Sequence, residues 1–283
     1  MARKGRCTIP RSVRSPTATT TPGPRAADRR QVFFGEARIP DGVRVYAIGD
    51  VHGYAGLLAS LFAQIDAELA DDPPKDYRIV TLGDYCDRGP DSRAVLDALI
   101  ARRAADPRLV CLKGNHDDWM IRMLTEPDRV GPEWLTWGGR ETLASYGVGT
   151  PEAIPVEGLA PLARQFGAAL PDEHHSFVED LPLMHVEGDY CFVHAGLRPH
   201  VALGDQRMED LIWIREPFLS HAGSFGKVAV HGHTIHERPT VLPNRVAVDT
   251  GVYRSGLLTA AVLEADRCRF ICAHPGGIAL IAP

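Results

Sequence analysis

The sequence has no apolar run long enough to cross a membrane and no cysteine pattern that could hold a fold together. A membrane-spanning helix needs roughly 20 consecutive apolar residues, and no apolar run in this 283-residue chain approaches that length. Of the six cysteines, only Cys268 and Cys272 are close in sequence, and no neighbouring residues complete a zinc set. Cys86, Cys111 and Cys191 lie in or beside apolar runs, so we expect reduced, buried thiols, as in a cytoplasmic protein.

An excess of positive charge is also missing from the body of the chain. The net charge is −5, but residues 1–30 contain eight basic residues and one acidic residue, which leaves −12 for the rest. An acidic body argues against a broad nucleic-acid-binding surface. We therefore expect neither nucleic acid nor a membrane as a partner.

The basic N-terminal segment lacks the apolar core of a secretory signal. Its abundance of Arg, Ser and Thr is shared by transit peptides, so a targeting role is one interpretation. The alternative is a disordered tail, because four prolines between residues 10 and 24 break any helix and little of the segment can be buried. We favour the second interpretation and predict a disordered basic tail over residues 1–35 and one folded domain over residues 36–283.

Six short apolar runs recur along the body, and each is followed at once by polar residues and glycine. Short β-branched runs bounded by glycine are typical of buried strands. They cover residues 43–48, 77–82, 108–112, 190–193, 227–230 and 246–248. Because ligand sites of open α/β sheets lie beyond the carboxyl ends of the strands, we expect the polar residues after these runs to meet at one site.

The spacing of the runs predicts how the strands pair. Helical patterns separate the first three runs, with Ser92 as the predicted N-cap of the second helix, and such crossovers imply parallel strands. After residue 233 the runs at 246–248, 257–263 and 269–272 leave no room for helices, so we expect antiparallel pairing there. The predicted fold class is α/β, a mixed sheet with helices outside it.

Residues 118–180 differ from the rest of the body. They contain three of the four tryptophans, several Gly and Pro residues and few strand signals. We predict a helical insertion that lies over the site. Trp134, Trp137 and Tyr146 either contact substrate or pack the insertion onto the body, and packing is the commoner role of aromatic residues.

The strand ends carry a set of metal-ligating side chains. Asp50 and His52 lie two residues apart, so in an extended segment both would face one ion. Asp84 follows the second run in a Gly-Asp corner and has two oxygens with which it could bridge two ions. The remaining candidate ligands are Asn115, His194 and His233. A mixed oxygen and nitrogen set without cysteine favours manganese, iron or zinc over calcium.

Phosphoryl transfer is the chemistry that such a set predicts. Two ions roughly 3.5–4 Å apart can activate a water and hold the attacking and leaving oxygens of an in-line displacement. His116 is placed to protonate the leaving oxygen, and Asp87 could hold its imidazole in the right tautomer. Arg88 and Arg215 are candidates for binding phosphate oxygens, and Asn115 is a third candidate beside its role as a metal ligand.

Each of these features has a simpler explanation when it is taken alone. A Gly-Asp corner is often only a turn, and a histidine that ends a strand is more often a hydrogen-bonded core residue than a ligand. Five strand ends that all carry Asp, Asn or His are harder to explain by packing, because buried charge is costly without a partner. We therefore interpret the set as one metal centre.

Taken in order, the motifs resemble those of the metallophosphoesterase (calcineurin-like) superfamily, and within it the phosphoprotein phosphatase branch with its bacterial and phage relatives. They are Gly-Asp-Val-His-Gly (49–53), Gly-Asp-Tyr-Cys-Asp-Arg-Gly (83–89), Gly-Asn-His-Asp (114–117), His-Ala-Gly (194–196) and Gly-His-Thr (232–234). The resemblance covers residues 43–263, nearly the whole body. It implies a four-layer α/β/β/α sandwich of two mixed sheets with the helical segment inserted, and hence a metallophosphoesterase domain over residues 36–283.

The resemblance also implies roles for individual residues. One metal would be held by Asp50, His52 and Asp84, and the other by Asp84, Asn115, His194 and His233. His116 and Asp87 would form an acid dyad, and Arg88 and Arg215 would hold the phosphate. Manganese is the expected metal, with iron or zinc as alternatives. Asp117 stands where many relatives have glutamate, a change without an obvious mechanistic cost.

Three functions follow as hypotheses. The first is a bacterial-type serine/threonine protein phosphatase, in which a metal-bound hydroxide attacks a phosphomonoester in line. The second is a dinucleoside polyphosphate hydrolase; bacterial diadenosine tetraphosphatases resemble this chain, but they carry alanine where it has Asp87 and lack the stretch around Arg215. The third is a non-catalytic metal-binding scaffold, which usually loses ligands or the acid, and none is missing here. We favour the first, with a phosphorylated protein or a small phosphoester as partner.

Overall fold

The structure of the protein is a computed structural model that describes residues 32–33, 36–153, 155–156 and 158–283. The predicted disordered tail, residues 1–35, lies outside the described residues except for Val32–Phe33, which form a strand. Within the described ranges, no helix has both the length and the apolar character needed to cross a membrane. The division of the chain at residue 36 stays a prediction.

Strands and helices alternate in the first half of the described chain, and strands dominate the end. The strands are β1 (Val32–Phe33), β2 (Val43–Ile48), β3 (Asp76–Thr81), β4 (Leu109–Cys111), β5 (Met184–Glu187), β6 (Tyr190–Val193), β7 (Val228–His231), β8 (Thr240–Leu242), β9 (Arg245–Ala247), β10 (Leu258–Glu264), β11 (Arg267–His274) and β12 (Gly277–Ile281). The helices are α1 (Ala55–Asp71), α2 (Ser92–Ala105), α3 (Asn115–Thr125), α4 (Pro127–Trp134), α5 (Arg140–Ser145), α6 (Ala160–Ala169), α7 (Asp172–Glu179), α8 (Met208–Trp213) and α9 (Val252–Ser255). A π-helical segment, Leu135–Gly139, joins α4 to α5.

The described strands form two mixed sheets. The first has the order β1-β11-β10-β2-β3-β4, with β12 also paired to β11, and the second has the order β5-β6-β7-β9-β8. As predicted, β2, β3 and β4 are parallel, with α1 and α2 as the crossovers, and β10 and β11 are antiparallel. β10 also pairs with β2, which joins the end of the chain to its beginning.

The antiparallel pairing predicted between residues 246–248 and residues 257–263 is wrong. β9 pairs with β7 in parallel, in the second sheet rather than beside β10. The extra strand β8 explains the difference, because it turns back from β7 and pairs with β9 in antiparallel. The β8–β9 hairpin thus returns the chain to the direction of β7 without a helix. The length of the segment between the runs at 227–230 and 246–248 did not predict this hairpin.

Three apolar cores separate four layers. The first core lies between the first sheet and the helices α1–α7, the second lies between the two sheets, and the third lies between the second sheet and α8. Alternate residues of β2 supply two of them: Tyr46 and Ile48 face the helices, whereas Val45 and Ala47 face the other sheet. The layers therefore follow the predicted α/β/β/α order, and the carboxyl ends of parallel strands from both sheets meet at one edge.

Candidate active site

Two groups of ligating atoms form where the sheets meet. His52, Asp84 and His116 offer atoms within 4.8 Å of one another, and Asp84, His194 and His233 do the same. Asp84 belongs to both groups, with Oδ2 lying 3.7 Å from His52 Nε2 and 3.5 Å from His194 Nε2. This arrangement fits the bridging role proposed for Asp84, because one carboxylate faces both sets of imidazoles.

Hydrogen bonds fix the tautomers of two of these histidines. Nδ1 of His52 lies 2.9 Å from the carbonyl oxygen of Cys86, and Nδ1 of His194 lies 2.8 Å from that of Leu82. A carbonyl can only accept, so each Nδ1 carries the proton and each Nε2 is left with a lone pair inside the cluster around Asp84. Burial lowers the pKa of His52 well below its usual value and that of His194 to about 4, which keeps both rings neutral, as metal ligands must be.

Several buried polar atoms at this edge are paired only with other acceptors or with nothing. His194 Nε2, which has no proton, lies 3.0 Å from Asn115 Oδ1. In the described part of the chain, the buried Nε2 of His233 has no hydrogen-bond partner. Lone pairs that converge in this way are stabilised by a cation. The donor set therefore fits divalent metal ions.

Asp50 lies beside the backbone of His233. Its carboxylate accepts the backbone N–H of His233 at 3.1 and 3.2 Å, and among the described residues it joins neither ligand group. Burial, together with Asp249 and Asp84, raises the pKa of Asp50 well above its usual value. Asp249 is absent from the predicted site, although it follows the sixth apolar run and so carries the same signal as the other strand ends.

The backbone is bent into the left-handed region at five of the predicted site residues. These are His52 (φ 43°), Asp84 (φ 51°), Asp87 (φ 71°), Arg88 (φ 70°) and His233 (φ 61°). Only His200 and Ala265 share this geometry among the other described non-glycine residues. Such conformations are unfavourable for L residues, and they cluster where a fold positions functional groups. The extended geometry predicted for Asp50–His52 is therefore wrong at His52.

Asp117 ties together the two loops that carry the central residues. Its carboxylate accepts three backbone N–H groups: those of Asp84 at 2.8 Å, Tyr85 at 2.9 Å and Gly114 at 2.9 Å. The loops approach so closely that a Cβ on Gly114 would clash with Asp84 Oδ1. No specific role was predicted for Asp117, but its carboxylate holds Asp84 beside the turn that leads into Asn115 and His116.

A second network surrounds Asp87. Its Oδ2 lies 2.6 Å from His116 Nδ1, and the same carboxylate accepts the Trp134 indole N–H at 2.9 and 3.0 Å and the Thr142 hydroxyl at 2.6 Å. Burial raises the pKa of Asp87 to about 7, while the bonds from Thr142 and Trp134 act in the opposite direction. Burial lowers the pKa of His116 to about 4. Sequence reasoning found the His116–Asp87 pair but missed the groups that hold it.

Ser92 does not cap α2 through its side chain. It is the first residue of the helix rather than the N-cap, which is Asp91. Its hydroxyl accepts the backbone N–H of Asp87 at 3.1 Å and lies 3.0 Å from the Thr142 hydroxyl. The start of α2 thus supports the Asp87 loop instead of its own helix.

Both predicted phosphate-binding arginines line a cavity of about 180 Å³ at this site. Arg88 reaches His52 Nε2 at 2.9 Å and His116 Nε2 at 3.0 Å, and its guanidinium carbon lies 4.3 Å from the centre of the Tyr253 ring. Arg215 approaches the carbonyl of His233 at 3.5 Å. The cavity wall also contains Asp84, Asn115, His116 and His233, so metal-ligand, acid and arginine candidates face one space.

The aromatic residues of the insertion divide into two groups. Trp134 and Tyr146 are buried in the core, as the packing interpretation predicted, although Trp134 also holds Asp87. Trp137 is 49% exposed and lines the same cavity as Arg88 and Arg215, together with Trp119 and Trp213. Trp213 was not singled out from the sequence; it precedes Arg215 by two residues at the end of α8.

We predict that Trp134→Phe raises the pKa of Asp87, because the carboxylate loses the indole N–H that favours its charged form. The variant should also lose about 1.5–3 kcal/mol of unfolding free energy, the usual contribution of a hydrogen bond to a charged group. Carbon-detected NMR of the aspartate carboxyl groups and urea denaturation would measure the two effects. Tyr146→Phe is the matched control, since its buried hydroxyl bonds to His174 and not to Asp87. An unchanged Asp87 pKa in Trp134→Phe would contradict the network.

Comparison with known proteins gives a family match and several named relatives. Residues 43–274 match the family model described as calcineurin-like phosphoesterase. The chain is 29% identical over 188 residues to the symmetrical bis(5'-nucleosyl)-tetraphosphatase of Methylococcus capsulatus, covering 66% of this chain and 51% of that protein. It is 33% identical over 95 residues to serine/threonine-protein phosphatase 2 of Escherichia coli, covering 34% of this chain and 38% of that protein.

Other curated relatives also carry the tetraphosphatase name, in symmetrical and asymmetrical forms. The chain spans about half the length of the first of these relatives. Among solved structures, a candidate diadenosine tetraphosphatase superimposes with a TM-score of 0.54 at 20% identity, covering 87% of this chain and 99% of that one. At that identity the likeness concerns the fold alone, and it supports the two-sheet architecture. The family match and the fold agree, and the chain belongs to the calcineurin-like phosphoesterase family.

Proposed function

We propose that the protein hydrolyses phosphomonoesters with two divalent metal ions, and that phosphoserine and phosphothreonine in proteins are its substrates. The observation that carries this proposal is the position of the His116–Asp87 pair. The pair contributes a proton carrier, His116, to the cavity that Asp84 and the two arginines line. Ligands, acid and phosphate-binding groups are the three parts that phosphomonoester hydrolysis requires.

The residues that would hold the two ions follow from the two ligand groups. His52 and Asp84 of the first group would hold one ion, with Asp50 added as the family resemblance implies, while His116 of that group is kept as the acid because its Nδ1 is bonded to Asp87. The second ion would be held by Asp84, His194 and His233 of the second group, with Asn115 beside them. When bound, such ions supply an activated water and stabilise charge on the attacking and leaving oxygens. Manganese is the metal we propose, with iron or zinc as alternatives that the same ligands accept.

Arg88 and Arg215 would orient the phosphate. A guanidinium forks onto two oxygens of a phosphate and keeps its charge at any physiological pH. Arg88 stacks on Tyr253 and bonds to two imidazoles, so its guanidinium is held at the cavity wall rather than in solvent. In this position it can bind phosphate oxygens while His116 faces the leaving oxygen.

The leaving group decides between the two catalytic hypotheses. A serine or threonine alkoxide is a poor leaving group and needs a proton, whereas a nucleotide leaves as a phosphate that needs little protonation. His116 keeps Nε2 toward the cavity because Nδ1 is bound to Asp87, and a phosphate next to that ring favours its protonated form. The buried pair is therefore most useful with an alkoxide, which favours phosphomonoesters.

Hydrolysis of dinucleoside polyphosphates is the second candidate. It is favoured by the names of the curated relatives, most of which are bis(5'-nucleosyl)-tetraphosphatases. The exposed ring of Trp137 at the cavity is compatible with it, because nucleobases stack on aromatic side chains.

We also propose a cytoplasmic location. All five cysteines in the described ranges are free and buried, which suits a reducing compartment.

Asp84→Asn should reduce the bound metal from two ions to one or none per chain and abolish hydrolysis, because it removes the shared charged ligand. Metal content after dialysis, measured by plasma mass spectrometry, checks the first effect without relying on activity. Asp118→Asn is the control, a nearby buried carboxylate that belongs to neither ligand group. Two ions per chain in Asp84→Asn would refute the bridging role.

The substrate class can be tested by assaying the manganese-loaded protein on phosphoserine and phosphothreonine peptides and on diadenosine tetraphosphate. We expect kcat/KM to be at least about tenfold higher on the peptides, a difference of roughly 1.4 kcal/mol in transition-state stabilisation. A preference of that size for the dinucleotide would replace the first candidate by the second.

His116→Asn should slow phosphoserine hydrolysis by about 100- to 10,000-fold, the usual contribution of a positioned general acid. The loss should be much smaller on p-nitrophenyl phosphate, whose leaving group needs little protonation. The measurement is the decrease in kcat on phosphoserine divided by the decrease in kcat on p-nitrophenyl phosphate. If both substrates slow equally, His116 does not act as the acid.

A further inference from the structure

A second cavity opens beside the catalytic one and shares two of its walls, Arg88 and Trp137. The catalytic cavity has a volume of about 180 Å³, which is below the roughly 300 Å³ at which ordinary ligand pockets begin. The second cavity, at about 440 Å³, is more than twice as large. A phosphate bound at Arg88 therefore lies next to an open space that can take the adjoining part of the substrate.

Three guanidinium groups line this second cavity, and none has a carboxylate partner in the described residues. Arg88 bonds to two imidazoles. Arg140 bonds to neutral oxygens, Thr150 Oγ1 at 3.2 Å and the Pro151 carbonyl at 2.6 Å. Arg254 is exposed, and its guanidinium carbon lies 5.2 Å from the centre of the Tyr253 ring.

Some arginines elsewhere in the described ranges are compensated by carboxylates. Arg44, Arg102 and Arg198 each bond to a carboxylate at 2.7 Å or less. The wall of the second cavity contains one carboxylate, Glu141, which forms no ion pair within the described ranges. Three positive groups against one negative group leave an excess of positive charge in a chain whose net charge is −5. A site of this kind attracts an anion.

The distance between the guanidinium groups of Arg88 and Arg254 suits a short peptide. The guanidinium carbons of Arg88 and Arg254 lie 4.3 and 5.2 Å from the same Tyr253 ring centre, so they cannot be more than about 9.5 Å apart. Consecutive Cα atoms are about 3.8 Å apart. A phosphate on one residue and a carboxylate one or two residues away can therefore reach both arginines together.

We propose that the second cavity is a subsite for a carboxylate that flanks the phosphorylated residue, with Arg254 as its main ligand. The protein then prefers phosphoserine or phosphothreonine that has Asp or Glu within two residues. The inference rests on the proposed protein phosphatase function and adds a sequence preference to it. Arg140 supports the cavity wall by holding the loop at residues 150–152, and Arg88 connects the subsite to the bound phosphate.

The test uses three phosphoserine peptides of equal length with acidic, neutral or basic flanking residues, together with diadenosine tetraphosphate. The wild-type, manganese-loaded protein should show a kcat/KM at least about tenfold higher on the acidic peptide than on the basic one, mainly through KM. The preference should shrink as salt is raised from 0.05 to about 0.5 M, because exposed charges are screened.

Two variants assign the preference to Arg254. Arg254→Gln should bring the acidic-to-basic ratio to within about threefold of one, and Arg254→Glu should reverse it, as expected for an electrostatic contact. Arg207→Gln, which removes another exposed arginine that lines neither cavity, is the matched control and should keep the wild-type ratio. Thermal unfolding would establish that each variant is folded before its ratio is interpreted.

The outcomes separate this inference from the function on which it rests. Equal hydrolysis of all three peptides by the wild type, or an unchanged ratio in Arg254→Glu, would overturn the subsite and leave the phosphatase function standing. Hydrolysis of diadenosine tetraphosphate without hydrolysis of any peptide would overturn both. A reversed preference in Arg254→Glu would support both.

Discussion

The burial of the Asp84 carboxylate is the constraint on which the rest of the site depends. Asp84 is 2% exposed and sits at a strand end in left-handed backbone geometry. Burial raises its pKa, although the backbone N–H of His116 donates to Oδ1 at 2.9 Å. The imidazoles around it are kept neutral by burial, so they cannot balance its charge. Arg88 offsets only part of the Asp84 charge, because the pKa of Asp84 stays raised. A buried carboxylate that is incompletely balanced costs several kcal/mol, which explains why metal cations are the natural partners of this cluster.

The fold makes this costly arrangement possible by holding it from two sheets. β3 and β4 deliver Asp84 and Asn115, and β6 and β7 deliver His194 and His233 from the other sheet. The apolar core between the sheets fixes their separation, and Asp117 clamps the loops that follow β3 and β4. The apolar residues that stabilise the fold therefore lie between the sheets, and the polar residues of the site lie at one edge of them.

The sequence predicted the parts of the site that are local. A short apolar run followed by glycine and a polar residue is visible in the chain, and the candidate ligands were found in that way. The supporting groups are not local: Thr142 is 55 residues from Asp87, and Trp134 is 47 residues away. Their role depends on how the helical insertion docks, which periodicity does not specify. Likewise, the hairpin that makes β9 parallel to β7 could not be inferred from the length of the gap.

The central claim, that Asp84 bridges two metal ions, is tested most directly by diffraction from crystals grown with manganese, with data collected near the manganese absorption edge. The account predicts two anomalous peaks roughly 3.5–4 Å apart, the usual separation in two-metal sites. Both should be bonded to the Asp84 carboxylate, one beside His52 and the other beside His194 and His233. A single peak, or two peaks of which only one contacts Asp84, would contradict it.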